Sequence, residues 1–185
     1  GTLPLVRVAQ AGAKDCKLAL DAGAGGVIVP MTETASQIEE MLNYCCWPPS
    51  GKRSVGFSRA NLFGKFFDSY AEEAQAPLFV AMIESIDAVE NLADILKVNG
   101  LDAILIGPYD LSASMGLTGK FDQQEFKDII ARIRKTANYA NIACGIHVVE
   151  PSKDELQLRI KEGYRFIPYS IDSVFLNHSS MKPLT

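Results

Sequence analysis

The chain has 185 residues, with 18 Lys and Arg against 22 Asp and Glu, and a net charge of -4. At 48% hydrophobic and 22% charged it has the composition of an ordinary globular protein, long enough to bury one core without disulfides or a structural metal. Its basic residues are scattered, no apolar run approaches the ~20 residues of a membrane helix, and Gly1-Thr2-Leu3-Pro4 lacks the features of a signal peptide. No nucleic-acid partner, membrane role or secretion is therefore expected. Cys45 and Cys46 are adjacent while Cys16 and Cys144 stand far away, a spacing that suits neither a metal site nor a disulfide framework. The four read as small buried hydrophobes in a reducing, cytoplasmic compartment.

Short apolar runs alternate with stretches of helical spacing along the whole chain. Residues 3–8 read as a strand and 14–22 as a helix stopped by Gly23. Residues 26–29 form the next strand, and 34–45 a helix with Thr34 as N-cap and Ile38, Met41 and Leu42 on one face. An irregular Pro-, Gly- and Ser-rich stretch over 47–55 follows, then a helix within 61–74 packed across an opening. Residues 78–83 are a near-continuous apolar strand, as expected for one covered on both faces. A helix over 86–98 ends at Asn99-Gly100, and a strand at 103–106 precedes a helix over 123–138. A strand over 142–148, a helix over 151–162 with Pro151 at its start, and a last strand over 166–170 complete six strand-helix units in one domain, 1–185.

Alternating units imply a parallel sheet, either open or closed into a barrel. Arg7, Glu84, Asp110 and His147 all sit just past apolar runs, where a (β/α)8 barrel builds its active site. The first strand is followed by Ala9-Gln10-Ala11-Gly12, which lacks the Gly-rich fingerprint of a dinucleotide fold. The expected fold is thus a (β/α)8 TIM barrel with six units present, since a whole barrel takes ~250 residues.

Glu84 and Asp110 lie 26 residues apart, one repeat, and should meet at the same barrel end. Two converging carboxylates without Cys or His suit a hard divalent cation such as Mg²⁺ or Mn²⁺. Each alone could equally cap the helix that follows. Gly107-Pro108-Tyr109-Asp110 opens a short helix whose first N–H groups could take a carboxylate or phosphate. Arg7, within an apolar strand, either faces an anion at the barrel end or makes an internal salt bridge. Asp21 opposes the dipole at the end of its helix, so it is a solvated surface residue or orients a partner group. His147 is a candidate pocket wall, Arg59 lines the opening or the surface, and His178, in a loose tail, has no assigned role.

Gly26-Val27-Ile28-Val29-Pro30-Met31-Thr32-Glu33-Thr34, Pro48-Pro49-Ser50-Gly51-Lys52-Arg53-Ser54, Met82-Ile83-Glu84 with Ala88-Val89-Glu90-Asn91, and Ile106-Gly107-Pro108-Tyr109-Asp110-Leu111-Ser112 running on to Met115-Gly116 occur in this order. Together they resemble the HpcH/HpaI family of metal-dependent pyruvate aldolases, over essentially the whole chain. The resemblance implies a barrel of the phosphoenolpyruvate/pyruvate superfamily that cleaves 2-oxo-3-deoxy acids to pyruvate and an aldehyde, with Mg²⁺, Mn²⁺ or Co²⁺ as cofactor. Glu84 and Asp110 match its metal ligands, and Arg7 the arginine that polarises the reacting oxo group. Asp21 matches an aspartate that pairs with the catalytic histidine across a subunit boundary. The Tyr109 and Asp110 amides, at the Gly107-Pro108 turn, match the holders of the pyruvate carboxylate. His147 matches a variable pocket residue that influences aldehyde choice.

The family also implies a homo-oligomer, a hexamer with exchanged C-terminal helices, and Val174-Phe175-Leu176 before the polar tail is compatible with that. In the family, two further units precede the matching segment and carry the histidine base, so the chain is expected to be a segment of a longer enzyme. No lysine lies at a strand end to serve a Schiff-base mechanism. Two rival readings remain at this stage: a citrate-lyase-β-like lyase acting on a CoA ester, and an inactive barrel serving as subunit or scaffold.

Overall fold

The computed structural model describes residues 1–180. The chain runs β1 (Leu5–Arg7), α1 (Ala13–Asp21), β2 (Gly26–Val29), α2 (Ala35–Cys45), a 3-10 turn (Arg59–Asn61), α3 (Phe67–Glu73), β3 (Leu78–Ile83), α4 (Ile86–Glu90) and α5 (Leu92–Ile95). It continues with β4 (Ala103–Ile106), α6 (Pro108–Ser114), α7 (Gln124–Tyr139), β5 (Ala143–Ile146), α8 (Lys153–Lys161) and α9 (Asp172–Ser180). All four strand pairings are parallel, and the spatial order is β1-β2-β3-β4-β5. A doubly wound sheet reverses its strand order at a switch point; this one never does, so the sheet is part of a barrel wall.

Side-chain parity divides the core in two. Val27, Val29, Phe79, Ala81, Ile83, Ile104, Ile106, Cys144 and Ile146 face outward into the large cluster shared with the helices. Ile28, Val80, Ala103 and Leu105, with Leu5, Met82, Ala143 and Phe166 against them, form a separate cluster on the inner face. Two covered faces explain why the strands read as continuous apolar runs rather than alternating ones. All four cysteines are free and buried.

Four expected features differ. The helix over 86–98 is two short helices broken at Asn91, whose Nδ2 donates to the Glu33 carbonyl at 2.9 Å. The segment 166–170 makes two isolated parallel bridges, Gly145 with Phe166 and Val148 with Tyr169, instead of a strand. Pro168 has no N–H to donate and Ser170 turns to a φ of 59°, which interrupts the ladder. The helix expected to start at Pro151 begins at Lys153, with the Ser152 hydroxyl accepting from the Glu155 N–H. His178 lies in α9 rather than in a loose tail, 3.0 Å from a Glu150 carboxylate oxygen. Of the polar tail beyond Leu176, residues 181–185 lie outside the described residues.

Candidate active site

The parity that points Leu5, Val80, Leu105 and Ala143 inward also points Arg7, Glu84, Gly107 and His147 inward at the carboxyl ends of β1, β3, β4 and β5. Ile83 pairs with Ile106 and Ile106 with Ile146, so Glu84, Gly107 and His147 are neighbours one step beyond the ladder. Arg7 closes β1 and is exposed. The strand ends therefore gather one cation, one carboxylate, a glycine and an imidazole on the inner side of the wall.

Glu84 is the only acidic side chain among the fully buried described residues, 2% exposed. Its Oε1 accepts the Met31 N–H at 2.7 Å, while Oε2 is buried with no hydrogen-bond partner. Burial pushes its carboxyl above the usual carboxylate range; the Met31 N–H pulls it back, the charge of Asp110 raises it and that of Arg7 lowers it. A Cβ at position 107 would lie 2.6 Å from Oε2, so only glycine leaves the oxygen its place. Gly107 itself, at φ -92° and ψ 95°, has a conformation any residue could adopt. Its role is space.

Asp110 stands three residues into the turn that opens α6 and is exposed, close enough to Glu84 for their charges to oppose each other. Pro108 at the first helical position has no N–H to lose, and the N–H groups of Tyr109 and Asp110 have no carbonyl four residues back within the helix. The buried Ser112 hydroxyl donates to the Tyr109 carbonyl at 2.8 Å and accepts from Gly119 N at 3.0 Å, and the Ser114 hydroxyl accepts from Ile86 N at 2.9 Å. The Ser112 bonds brace α6 internally and against the loop that follows it, and the Ser114 bond ties α6 to the start of α4, two residues after Glu84. No group of three His, Cys, Asp or Glu side chains forms a ready cage among the described residues. The donor set is two carboxylates with one buried oxygen free, which fits a hard divalent cation completed by water or substrate oxygens.

Asp21 lies apart from these groups. Asp21 ends α1, which runs back between two parallel strands, so it sits at the opposite end of the wall from Glu84. There it accepts from Arg53 Nη1 at 2.9 Å and pairs with Lys17. Within its own chain it does not join the site. Arg59 lines a cleft along the edge of β1 with Val6, Leu18 and Leu62, and Arg7 at the carboxyl end of that strand borders the same cleft. His147 is half-buried, Nε2 3.4 Å from the Ser170 carbonyl. With Pro108 and Tyr109 it borders a cavity of about 780 Å³ that extends outward between α7 and α8. Sequence reasoning passed over Met31, Thr32 and Gly107's steric role; the Pro-Met-Thr turn after β2 was the available signal, but which carboxylate its amide meets depends on β3, 53 residues away.

A parallel strand wall in chain order, with a metal-suited carboxylate corner at its carboxyl ends, defines a partial (β/α)-barrel, and comparison with known proteins makes the assignment specific. The HpcH/HpaI aldolase/citrate lyase family model matches residues 2–179, and the chain belongs to that family. It is 34% identical to a hydroxypyruvate/pyruvate aldolase of Roseobacter denitrificans over 94% of this chain and 68% of that protein. It is 38% identical to a 4-hydroxy-2-oxovalerate aldolase of Novosphingobium aromaticivorans, over 91% and 64%. The crystal structure of an HpcH/HpaI aldolase/citrate lyase family protein from Burkholderia cenocepacia superposes with a TM-score of 0.90 at 29% identity, over 98% of this chain and 72% of that one. The chain thus spans about two-thirds of the length of the curated relatives it matches.

Proposed function

We propose that the chain serves a divalent-metal-dependent aldolase that cleaves a 4-hydroxy-2-oxo acid to pyruvate and an aldehyde. The observation that carries this reading is the buried, partnerless Oε2 of Glu84, held beside Asp110 and Arg7 at the strand ends. Glu84 and Asp110 would hold the cation, Mg²⁺, Mn²⁺ or Co²⁺. Bound there, it supplies Lewis-acid stabilisation of negative charge on the 2-oxo oxygen.

The protein's own groups supply the rest. The free N–H groups of Tyr109 and Asp110, after Gly107-Pro108, take the substrate carboxylate. Arg7 donates to the 2-oxo oxygen, where charge accumulates as the C3–C4 bond breaks and its electron pair passes to C3 and the oxo group. The 4-hydroxyl proton leaves to a base, the aldehyde departs, and C3 is protonated to give pyruvate. The family resemblance places that base on a histidine with no counterpart in this sequence. His147 walls the aldehyde side. Asp21, remote from its own site, would orient the histidine of a neighbouring subunit, which requires a homo-oligomer, a hexamer by resemblance. A cytoplasmic location accords with the four free thiols, and no helix among the described residues is long and apolar enough to cross a membrane.

The test is pyruvate release from 4-hydroxy-2-oxo acids by the full-length protein, before and after chelation and with Mn²⁺ restored. Metal-dependent release that Glu84→Gln abolishes is expected. Release indifferent to both chelation and Glu84→Gln overturns the assignment.

A further inference from the structure

Glu84 does not hold its orientation alone. The β2–α2 turn, Pro30 to Glu33, is fastened to β3 and α4 by three bonds. Met31 N–H reaches Glu84 Oε1 at 2.7 Å, the Thr32 hydroxyl donates to the Met82 carbonyl at 2.7 Å, and Asn91 Nδ2 donates to the Glu33 carbonyl at 2.9 Å. Met31 adopts a φ of 51°, the left-handed region that a side chain other than glycine's disfavours. Its own side chain is 54% exposed and contributes little packing to hold the backbone there. Thr32 is 1% exposed, and its hydroxyl bond is aimed at the strand two residues before Glu84. A backbone outlier at a functional corner persists only where its surroundings over-determine it.

We propose that Thr32 is a positioning residue for Glu84: it fixes the left-handed Met31 peptide so that the Met31 N–H occupies Oε1 and leaves Oε2 facing the metal site. The inference rests on Glu84 being a metal ligand. A carboxylate free to turn about its terminal torsion would offer either oxygen, or both poorly, whereas one oxygen committed to an amide presents the other in a single direction. Partners of this kind typically alter metal affinity by 10–100-fold when removed. Threonine suits the place because its methyl fills the buried space while its hydroxyl makes the bond.

The experiment is Mn²⁺ titration followed by electron paramagnetic resonance of the free ion, on the full-length protein as wild type, Thr32→Val, Thr32→Ser and Glu84→Gln, each with its unfolding midpoint. Thr32→Val keeps volume and removes the donor; about tenfold weaker Mn²⁺ binding is expected. Thr32→Ser keeps the donor and should bind within about threefold of wild type, which a purely packing role for the side chain would not produce. Wild-type affinity in a folded Thr32→Val overturns the inference while leaving the metal reading intact. Should Thr32→Val not fold, Thr32→Ser decides: tenfold weaker binding in that folded variant overturns the inference equally. Equal binding by wild type and Glu84→Gln shows instead that the metal reading itself has failed, and the inference falls with it.

Discussion

Arg53 Nη1 donates to Asp21 Oδ1 at 2.9 Å, with the guanidinium side chain wholly buried and the carboxylate a quarter exposed. The guanidinium lies 5.5 Å from the Trp47 ring centroid and 5.9 Å from that of Tyr70, and its Nη2 donates to the Tyr70 hydroxyl at 3.2 Å. Its Nε has no partner. The two ends of this pair are therefore unequal: Asp21 keeps access to water and to Lys17, whereas among the described residues Arg53 has only Asp21 to balance its charge. Asp21→Asn leaves a buried uncompensated cation and should cost about 3–5 kcal/mol. Arg53→Met removes that charge and retains much of the volume between the rings, so it should cost less, about 1–3 kcal/mol. Urea unfolding of both variants checks the order, and an Arg53→Met loss larger than that of Asp21→Asn would contradict the account.

Gly107→Ala tests the space reserved beside Glu84. The added methyl would sit 2.6 Å from Oε2 and 3.1 Å from the Glu84 Cβ. Either the carboxylate turns aside or β3 and β4 separate slightly, an overpacking cost of about 1–3 kcal/mol. On the proposed metal reading, Mn²⁺ affinity should fall by at least tenfold, since the carboxylate oxygen without a hydrogen-bond partner is the one displaced. Gly12→Ala, where nothing lies within 4 Å of the added carbon, is the control and should leave both affinity and stability near wild type.

Glu84 should also reveal itself through pH. Its carboxyl is raised above the ordinary carboxylate value of 4.5, chiefly by burial. For a raised acid, the stability contribution is full below the unfolded pKa and is lost as pH rises through the folded one. The metal-free protein should therefore lose stability from about pH 4.5 upward at this group, and Glu84→Gln should not. At neutral pH the metal-free Gln variant should melt higher than wild type. Added Mn²⁺ should reverse the order, because only wild type gains by binding in the folded state. Identical melting curves across this range would remove the buried charge from the account.

Much of this architecture was legible because its causes are local. The apolar runs at 78–83 and 103–106 are strands by composition, Thr34 caps α2 through a box with Gln37, and Glu84 stands directly after a strand. What escaped has causes distant in sequence. Asn91 breaks a helix whose spacing looks continuous, and its side-chain amide reaches the Glu33 carbonyl 58 residues earlier. Arg53, in a Pro- and Gly-rich stretch, resembles a surface loop residue until Asp21, 32 positions away, is seen to meet it. The left-handed Met31 is set by bonds to β3, so no local preference announces it. The placement of Glu84 and Asp110 after β3 and β4 was readable from position; the bonds that hold Glu84 Oε1 and the Met31 turn were not.

Tyr164 gives an alkaline counterpart to the behaviour of Glu84. It is 5% exposed in the outer core after α8, under Arg134, whose guanidinium lies 5.4 Å from its ring centroid. Burial pushes its phenol from an ordinary value of 10.0 up to about 12, and the Cys144 thiol, itself held up to about 12, acts in the same direction. Below pH 10.0 the phenol is neutral in both states and its contribution is fully present. Between pH 10.0 and about 12 the unfolded chain ionises and the folded one resists, so unfolding is favoured progressively as pH rises. Tyr164→Phe removes this linkage at the cost of one hydroxyl that makes no buried bond among the described residues. Its midpoint should fall less steeply than that of wild type above pH 10, and ultraviolet titration of the native protein should show one fewer tyrosine ionising late. Parallel pH dependence in the two proteins would remove Tyr164 from the alkaline loss of stability.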